Sequence, residues 1–332
     1  MPETVLITGI SGYVAAHITR VFLDAGYNVR GTLRSLSSAP AITARYPGHE
    51  TNLTFVSVPD IAAPHAFDTA VHNVVGVIHT ASPFTLDVSD NEKDLLQPAI
   101  RGTTNVLDAV AHHAPTVRRV VITSSFAAIL DLEKGNRPGY KYTEEDWNPI
   151  SYDAAKQTPS GSVAYCASKA FAERALWHWA GEHKPSFSVV SVNPPWVFGP
   201  GMDGKQRLNE SLEAIRRLVD GSAGGEVPGV DFAGFADVRD LAVAHLRAFE
   251  VEEAAGRRFL IANGKFDYQL AVDVIRREFP QLQGVPLGTP GVATETYTPD
   301  GSKAREVLGL EYRSLERTMV DTVRWLIENG HV

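Results

Sequence analysis

Residues 4–35 read TVLITGISGYVAAHITRVFLDAGYNVRGTLRS, and this stretch decides the fold. An apolar run from Val5 to Ile7 enters a glycine turn, an amphipathic segment follows, and a second apolar run starts at Val29 and ends in a basic residue. That order opens a βαβ unit. Gly9, Gly12 and Ala15 stand as Gly-x-x-Gly-x-x-Ala directly after the first strand. Gly9 makes the tight turn, Gly12 removes a side chain where a phosphate must sit, and Ala15 lets the helix pack close to the strand. The helix points its unpaired N–H groups and positive dipole end at the turn, so the element predicts a dinucleotide pyrophosphate site.

The residues after Val29 choose between nucleotides. An NAD site commonly has an acidic side chain at the end of the second strand, where it binds the ribose hydroxyls. Gly31 is expected to hold that place, followed by Thr32, Arg34 and Ser35. A hydroxyl and a guanidinium then face the ribose, and a guanidinium suits a 2′-phosphate in charge and in its fork of donors. NADPH is the expected cofactor.

A chain of 332 residues with 44% hydrophobic content can build a large core and two lobes. A net charge of −8, with no basic cluster beyond doublets such as Arg118-Arg119 and Arg276-Arg277, argues against nucleic acid or an anionic membrane as partner. No apolar run reaches transmembrane length, and the N-terminus enters its strand too early for a signal peptide, so a cytoplasmic protein is expected. The single cysteine, Cys166, forms no internal disulfide, which fits a reducing compartment. The histidines lack metal-ligand spacing, His112-His113 included, and no metal is expected.

Along the chain, Ser35 to Asn52 reads as a loop around a short helix, and Leu53 to Val58 as a strand ending in Pro59-Asp60-Ile61. Asp60 and Ile61 form a plausible lip over an adenine. Val74 to His79 is the next strand and runs into Thr80-Ala81-Ser82-Pro83, small residues at a ligand-binding edge. A helical stretch from Glu92 to His113, interrupted by Pro98 and Gly102, leads to a strand at Arg119 to Thr123 and then Ser124-Ser125. Asp131 to Gly161, broken by glycines and prolines, reads as a surface excursion. Val163 to Ala180 is helical, and Ser188 to Val192 is a strand closing at Asn193-Pro194-Pro195. Beyond it are expected a helix from about Lys205 to Asp220, a loop at Gly221 to Gly225, a helix from Val238 to Phe249, a strand at Arg258 to Ile261 and terminal helices. The alternation predicts an α/β fold, a Rossmann-type doubly wound parallel sheet with a smaller, interleaved C-terminal substrate lobe. Residues 1–193, with 232–262 returning to them, form the expected nucleotide domain; residues 194–231 and 263–332 form the smaller lobe.

Tyr165 and Lys169 stand at i and i+4 of a predicted helix, on one face. A nearby ammonium favours the ionised phenol, so such a pair can exchange a proton closer to neutral pH than a free tyrosine. Ser125 adds a hydroxyl at the carboxyl end of its strand. Spacing of this kind also arises on ordinary helix surfaces, where the ring packs and the ammonium is solvated.

Together these pieces resemble the extended short-chain dehydrogenase/reductase family over nearly the whole chain. The likeness is nearest to its fungal NADPH-dependent methylglyoxal reductases and related aldehyde and ketone reductases, and more distant to plant dihydroflavonol and cinnamoyl-CoA reductases. It is carried by RGTLRS, VPDI, HTASPF, VITSSFAAI, AYCASK, NPPWVFGP and FADVRDLAVAHLRAF. The resemblance implies that Tyr165 is the general acid, that Lys169 lowers its pKa and holds the nicotinamide ribose, and that Ser125 rather than Ser124 hydrogen-bonds the substrate carbonyl. The implied cofactor site comprises Gly9, Ser11, Gly12, Tyr13 and Val14, then Thr32, Arg34, Asp60, Ile61, Thr80, Ala81, Ser82 and Thr123, with Tyr165, Lys169, Pro194 and Val197. Phe84, Leu130, Val163 and Trp196 are the implied substrate pocket, suited to a bulky carbonyl compound.

Two positions depart from the family. Many relatives have a relay asparagine where this chain has Ala99, so any relay must use water or another group. A lysine that follows the arginine in the fungal reductases is Ser38 here, which leaves NADP preference resting on Arg34. The expected function is reduction of an aldehyde or ketone by NADPH, in a monomer or homodimer. Its rivals are a nucleotide-sugar epimerase or dehydratase, which needs basic residues for a diphosphate beyond the scattered Arg207 and Arg216, and a non-catalytic NADP sensor.

Overall fold

In the computed structural model, which describes residues 2–82, 89–204 and 207–332, the first apolar run is strand β1 (Thr4–Thr8) and the amphipathic segment is helix α1 (Tyr13–Asp24). The chain continues through β2 (Asn28–Leu33), α2 (Ala39–Thr43), β3 (Leu53–Ser57), β4 (Gly76–His79) and α3 (Gln97–His113). Next come β5 (Arg119–Thr123), β6 (Lys141–Tyr142), α4 (Tyr152–Gln157), α5 (Gly161–His183) and β7 (Ser188–Asn193). The last third holds β8 (Trp196–Phe198), α6 (Glu210–Val219), β9 (Phe235–Asp237), α7 (Val238–Glu250) and β10 (Arg258–Leu260). It ends with α8 (Tyr268–Glu278), β11 (Thr298–Pro299), α9 (Ser302–Leu308) and α10 (Leu315–Glu328).

Among the described residues, seven parallel strands form the main sheet in the order β10-β7-β5-β4-β1-β2-β3. Alternate residues feed two cores. Val5, Ile7, Ile78 and Val121 pack with α1 and α7, while Leu6, Val77, Val120 and Ile122 pack with α3 and α5. Burial on both faces explains why these strands read as continuous apolar runs rather than alternating ones. The strand order reverses between β1 and β4, where Thr8 pairs in register with His79. Crossovers leave that point in opposite directions, which opens a crevice at the carboxyl ends of the two strands.

Three expectations are corrected, and one pairing is added to them. The helix over residues 92–113 is not interrupted at Gly102: a π turn at Glu92–Leu96 leads into α3, and Pro98 falls directly after that turn. The stretch 131–161 is no mere surface excursion, since β6 pairs with β11 and Tyr142, Glu144 and Asn148 are buried. Helix α6 begins at Glu210, because Asn209 caps it by accepting from the Leu212 N–H at 2.9 Å. The short strands β8 and β9 pair with each other outside the main sheet and have no counterpart in the sequence reading. Among the described residues no helix is long and apolar enough to cross a membrane.

Candidate active site

The glycine turn lies on the crevice. Gly9 has φ +65°, and a Cβ placed on it would stand 3.1 Å from the Cα of Ala81, so the turn needs both the conformation and the small volume of glycine. Gly12 is the N-cap of α1, makes no side-chain cap, and is followed by a first turn without acidic residues. The helix N-terminus is thus open toward a negative group, with Ser11 and Gly12 exposed at it. Val14 is partly buried, and Tyr13 turns its ring away, donating its hydroxyl to the Gly199 carbonyl at 2.9 Å.

The end of β2 differs from expectation. Gly31 is not the terminus, because the strand pairs with β3 as far as Leu33 opposite Ser57, and a Cβ on Gly31 would strike Ile10 at 2.4 Å. The terminal position is therefore held by Leu33, which is apolar and buried, and no carboxylate stands there. The Thr32 hydroxyl accepts from the Gly9 N–H at 2.9 Å and braces the turn. Arg34 is exposed, and its guanidinium has no partner among the described residues. Ser35 caps the turn that follows, accepting from the Ser37 N–H. Across the crevice Asp60 is exposed and accepts from the Ala62 N–H at 2.8 Å, and Ile61 meets the glycine face of α3 at Gly102. A glycine cradle, an uncapped helix N-terminus and an unengaged guanidinium fit NADPH.

Thr8 ties the crevice floor together. Its hydroxyl oxygen accepts from the N–H groups of Thr80 (3.0 Å) and Ala81 (3.1 Å), so its own proton goes to His79 Nδ1, 3.0 Å away. His79 is then the neutral Nε2–H tautomer, and burial, helped by Lys169, pushes its pKa down to about 3. On β5, Thr123 contacts the buried His245 at 2.7 Å.

The three proposed reacting residues converge beside this floor. Ser125 follows β5 and caps a single 3₁₀ turn, accepting from the Ala127 N–H at 3.1 Å. Ser160 caps α5 by accepting from the Val163 N–H, which sets Tyr165 in its second turn. Tyr165 hydrogen-bonds Ser125. Lys169, one turn on, donates to Ser82 at 2.7 Å, with its ammonium 5.6 Å from the Tyr165 ring centroid. Lys169 is partly exposed, and the burial it does have lowers its pKa to about 8. The Tyr165 phenol is raised above its ordinary range, by burial first and by neighbouring Cys166 second, with the Ser125 hydrogen bond pulling the other way. Behind Lys169 a cavity of about 20 Å³ is lined by Ala99, His79, Thr103, Ser124 and Glu173, roughly room for one water.

Sequence reading missed the support beneath these residues. The buried carboxylate of Glu173, one turn after Lys169, accepts from Ser124 (2.6 Å), Ser191 (2.8 Å), Asn193 (2.6 Å) and Arg258 (2.6 Å). Burial raises its pKa, but Arg258 and the hydroxyl donors outweigh it and leave Glu173 below the usual carboxylate range. Asn193 also donates to the Ser125 carbonyl at 3.1 Å, and Phe126 N–H to the Pro194 carbonyl at 2.8 Å, which fixes the Ser125 loop against the end of β7. The available signal was the spacing Tyr165, Lys169, Glu173, each four residues on.

On the substrate side, Val163 and Trp196 are partly exposed. Leu130 is instead 1% exposed and packs with Phe126, Tyr142 and Tyr297, so it backs the wall rather than lining it. Phe84 lies outside the described residues. Val197 is buried in the core. Trp196 donates its indole N–H to Asp231 at 2.9 Å and meets the Phe232 ring edge-on at 6.3 Å, two neighbours the sequence reading did not include.

Residues 5–262 match the model of the NAD dependent epimerase/dehydratase family. The chain is 37% identical over 340 residues to the NADPH-dependent methylglyoxal reductase GRE2 of Saccharomyces cerevisiae, covering 98% of each protein. It is 36% identical over 342 residues to the ketoreductase azaE of Aspergillus niger, covering 99% of each. The crystal structure of yeast methylglyoxal/isovaleraldehyde reductase Gre2 complexed with NADPH superposes with a TM-score of 0.93 at 36% identity, covering 99% of this chain and 100% of that one. With the family model spanning most of the chain and relatives matched end to end, the protein belongs to the NAD dependent epimerase/dehydratase family, the extended short-chain dehydrogenase/reductases.

Proposed function

We propose that the protein is an NADPH-dependent carbonyl reductase that converts an aldehyde or ketone to the alcohol. The observation that carries this reading is the hydrogen bond between Ser125 and Tyr165, placed one helical turn from Lys169 beside the Gly9 crevice. The names of the matched proteins, a methylglyoxal reductase and a ketoreductase, support the same class.

When bound, NADPH supplies the hydride. As hydride reaches the carbonyl carbon, negative charge grows on its oxygen, and the Tyr165 hydroxyl delivers a proton there while Ser125 donates a second hydrogen bond. Lys169 exchanges Ser82 for the nicotinamide ribose and brings its charge to Tyr165, countering the burial that raises the phenol. Arg34 pairs with the 2′-phosphate, and the open N-terminus of α1 takes the pyrophosphate. In this reading residues 1–193 and 232–262 hold the cofactor and the remaining residues supply the substrate side, in a cytoplasmic monomer or homodimer.

The family also contains epimerases and dehydratases by its name. Leu33 at the end of β2 removes the carboxylate expected for tightly held NAD, which favours the NADP-linked reductase. A screen of NADPH oxidation with methylglyoxal, diketones, β-keto esters and aryl ketones tests the reading. Turnover of at least one class with NADPH well above NADH is expected; no turnover of any carbonyl compound, with conversion of a nucleotide sugar instead, would overturn it.

A further inference from the structure

The substrate wall carries a fixed negative charge. Asp231 is exposed at the rim of the wall, where its carboxylate accepts from the Trp196 indole N–H at 2.9 Å and from the Phe232 backbone N–H at 2.6 Å, which hold it beside the Trp196 ring. The surroundings are apolar. Trp196 stacks on Phe198 with centroids 5.9 Å apart, Phe232 meets Phe126 at 6.4 Å, and Phe126 directly follows Ser125.

The charge is felt toward the reacting groups. Burial raises the Cys166 thiol to about 12 and Asp231 adds to that rise, one residue from Tyr165. Burial also raises Tyr268 and Tyr297, with Asp231 again contributing. Among the described residues, Arg217 partly offsets Asp231 at Tyr268, Lys169 stands on the cofactor side bound to Ser82, Lys265 donates to the Thr296 carbonyl at 3.3 Å, and Arg137 donates to the Tyr142 hydroxyl at 3.1 Å; none of these four pairs with Asp231.

We infer that Asp231 makes the site selective for carbonyl compounds that are neutral at the end pointing away from Tyr165, rejecting those that carry a carboxylate there. An anionic group brought against this wall meets the like charge of a carboxylate held beside Trp196, whereas an ester or aryl group meets the aromatic faces of Trp196 and Phe232. The inference rests on the reductase reading and names the substrate class for the same site.

The test compares kcat/KM for pyruvate and for its ethyl ester at saturating NADPH, pH 7, in the unmodified protein and in Asp231→Asn. Asparagine keeps an oxygen for the Trp196 N–H and removes only the charge. The ester should be preferred at least about tenfold, and Asp231→Asn should shrink that ratio by about three- to tenfold, the scale of one partly screened charge. Raising the salt concentration should narrow the ratio in the unmodified protein and do so less in Asp231→Asn. Equal use of pyruvate and ester by the unmodified protein, or a ratio and salt response unchanged by Asp231→Asn, would overturn the inference while leaving the reductase reading standing. Failure to turn over the ester or any other carbonyl compound would instead remove the reductase reading, and this inference with it.

Discussion

Ser124 donates its hydroxyl to the buried carboxylate of Glu173 at 2.6 Å, and this bond separates the tasks of two adjacent serines. Ser124 belongs to the buried support, while Ser125 bonds Tyr165. Ser124→Ala should therefore cost stability, about 1.5–3 kcal/mol for a lost hydrogen bond to a charged group, and change kcat little. Ser125→Ala should do the reverse, lowering kcat by about 10²–10³-fold with a thermal midpoint near that of the parent. Denaturant melts and steady-state rates on the two variants check the pair.

Arg34 has an exposed guanidinium with no partner among the described residues, beside a strand end held by Leu33. Arg34→Ala should raise KM for NADPH by about 10- to 100-fold, the loss of one charge-assisted contact, and leave KM for NADH nearly unchanged. Parallel titrations with both cofactors measure it.

Three buried histidines set the acid limit of the fold. Burial lowers His17 and His245 to about 4 and His79 to about 3, from an ordinary value of 6.5. Between pH 6.5 and those values the unfolded chain binds protons that the folded chain refuses, so stability falls as pH drops through this window and is flat with respect to these groups above it. Each histidine adds a slope of up to about 1.4 kcal/mol per pH unit. Urea melts at pH 7.0, 6.0 and 5.0 should show the decline, and His245→Gln should make it shallower.

The βαβ opening and the Tyr165–Lys169 pair were legible because each is a local pattern, a run, a turn or a helical repeat. The end of β2 was not. How far that strand runs is decided by pairing with β3, so Gly31 looked terminal although Leu33 is, and the small residue at Gly31 answers to Ile10 packing against it. Thr32 was placed near the ribose because its hydroxyl was countable in the sequence; the Gly9 N–H that claims it is not. The Glu173–Arg258 ion pair joins residues 85 apart and left no periodic trace beyond the four-residue spacing from Lys169. Strands β8 and β9 are three residues each, too short for alternation to mark them.

The central claim is that the phenol of Tyr165 delivers the proton. Replacing it as Tyr165→Phe keeps the ring packing and removes the donor that Ser125 holds in place. The measurement is kcat for the best carbonyl substrate, taken with NADPH affinity by fluorescence on the same variant. The account predicts kcat lower by about 10²–10⁴-fold with NADPH affinity nearly intact. Turnover within a few-fold of the parent would contradict it and place the acid elsewhere.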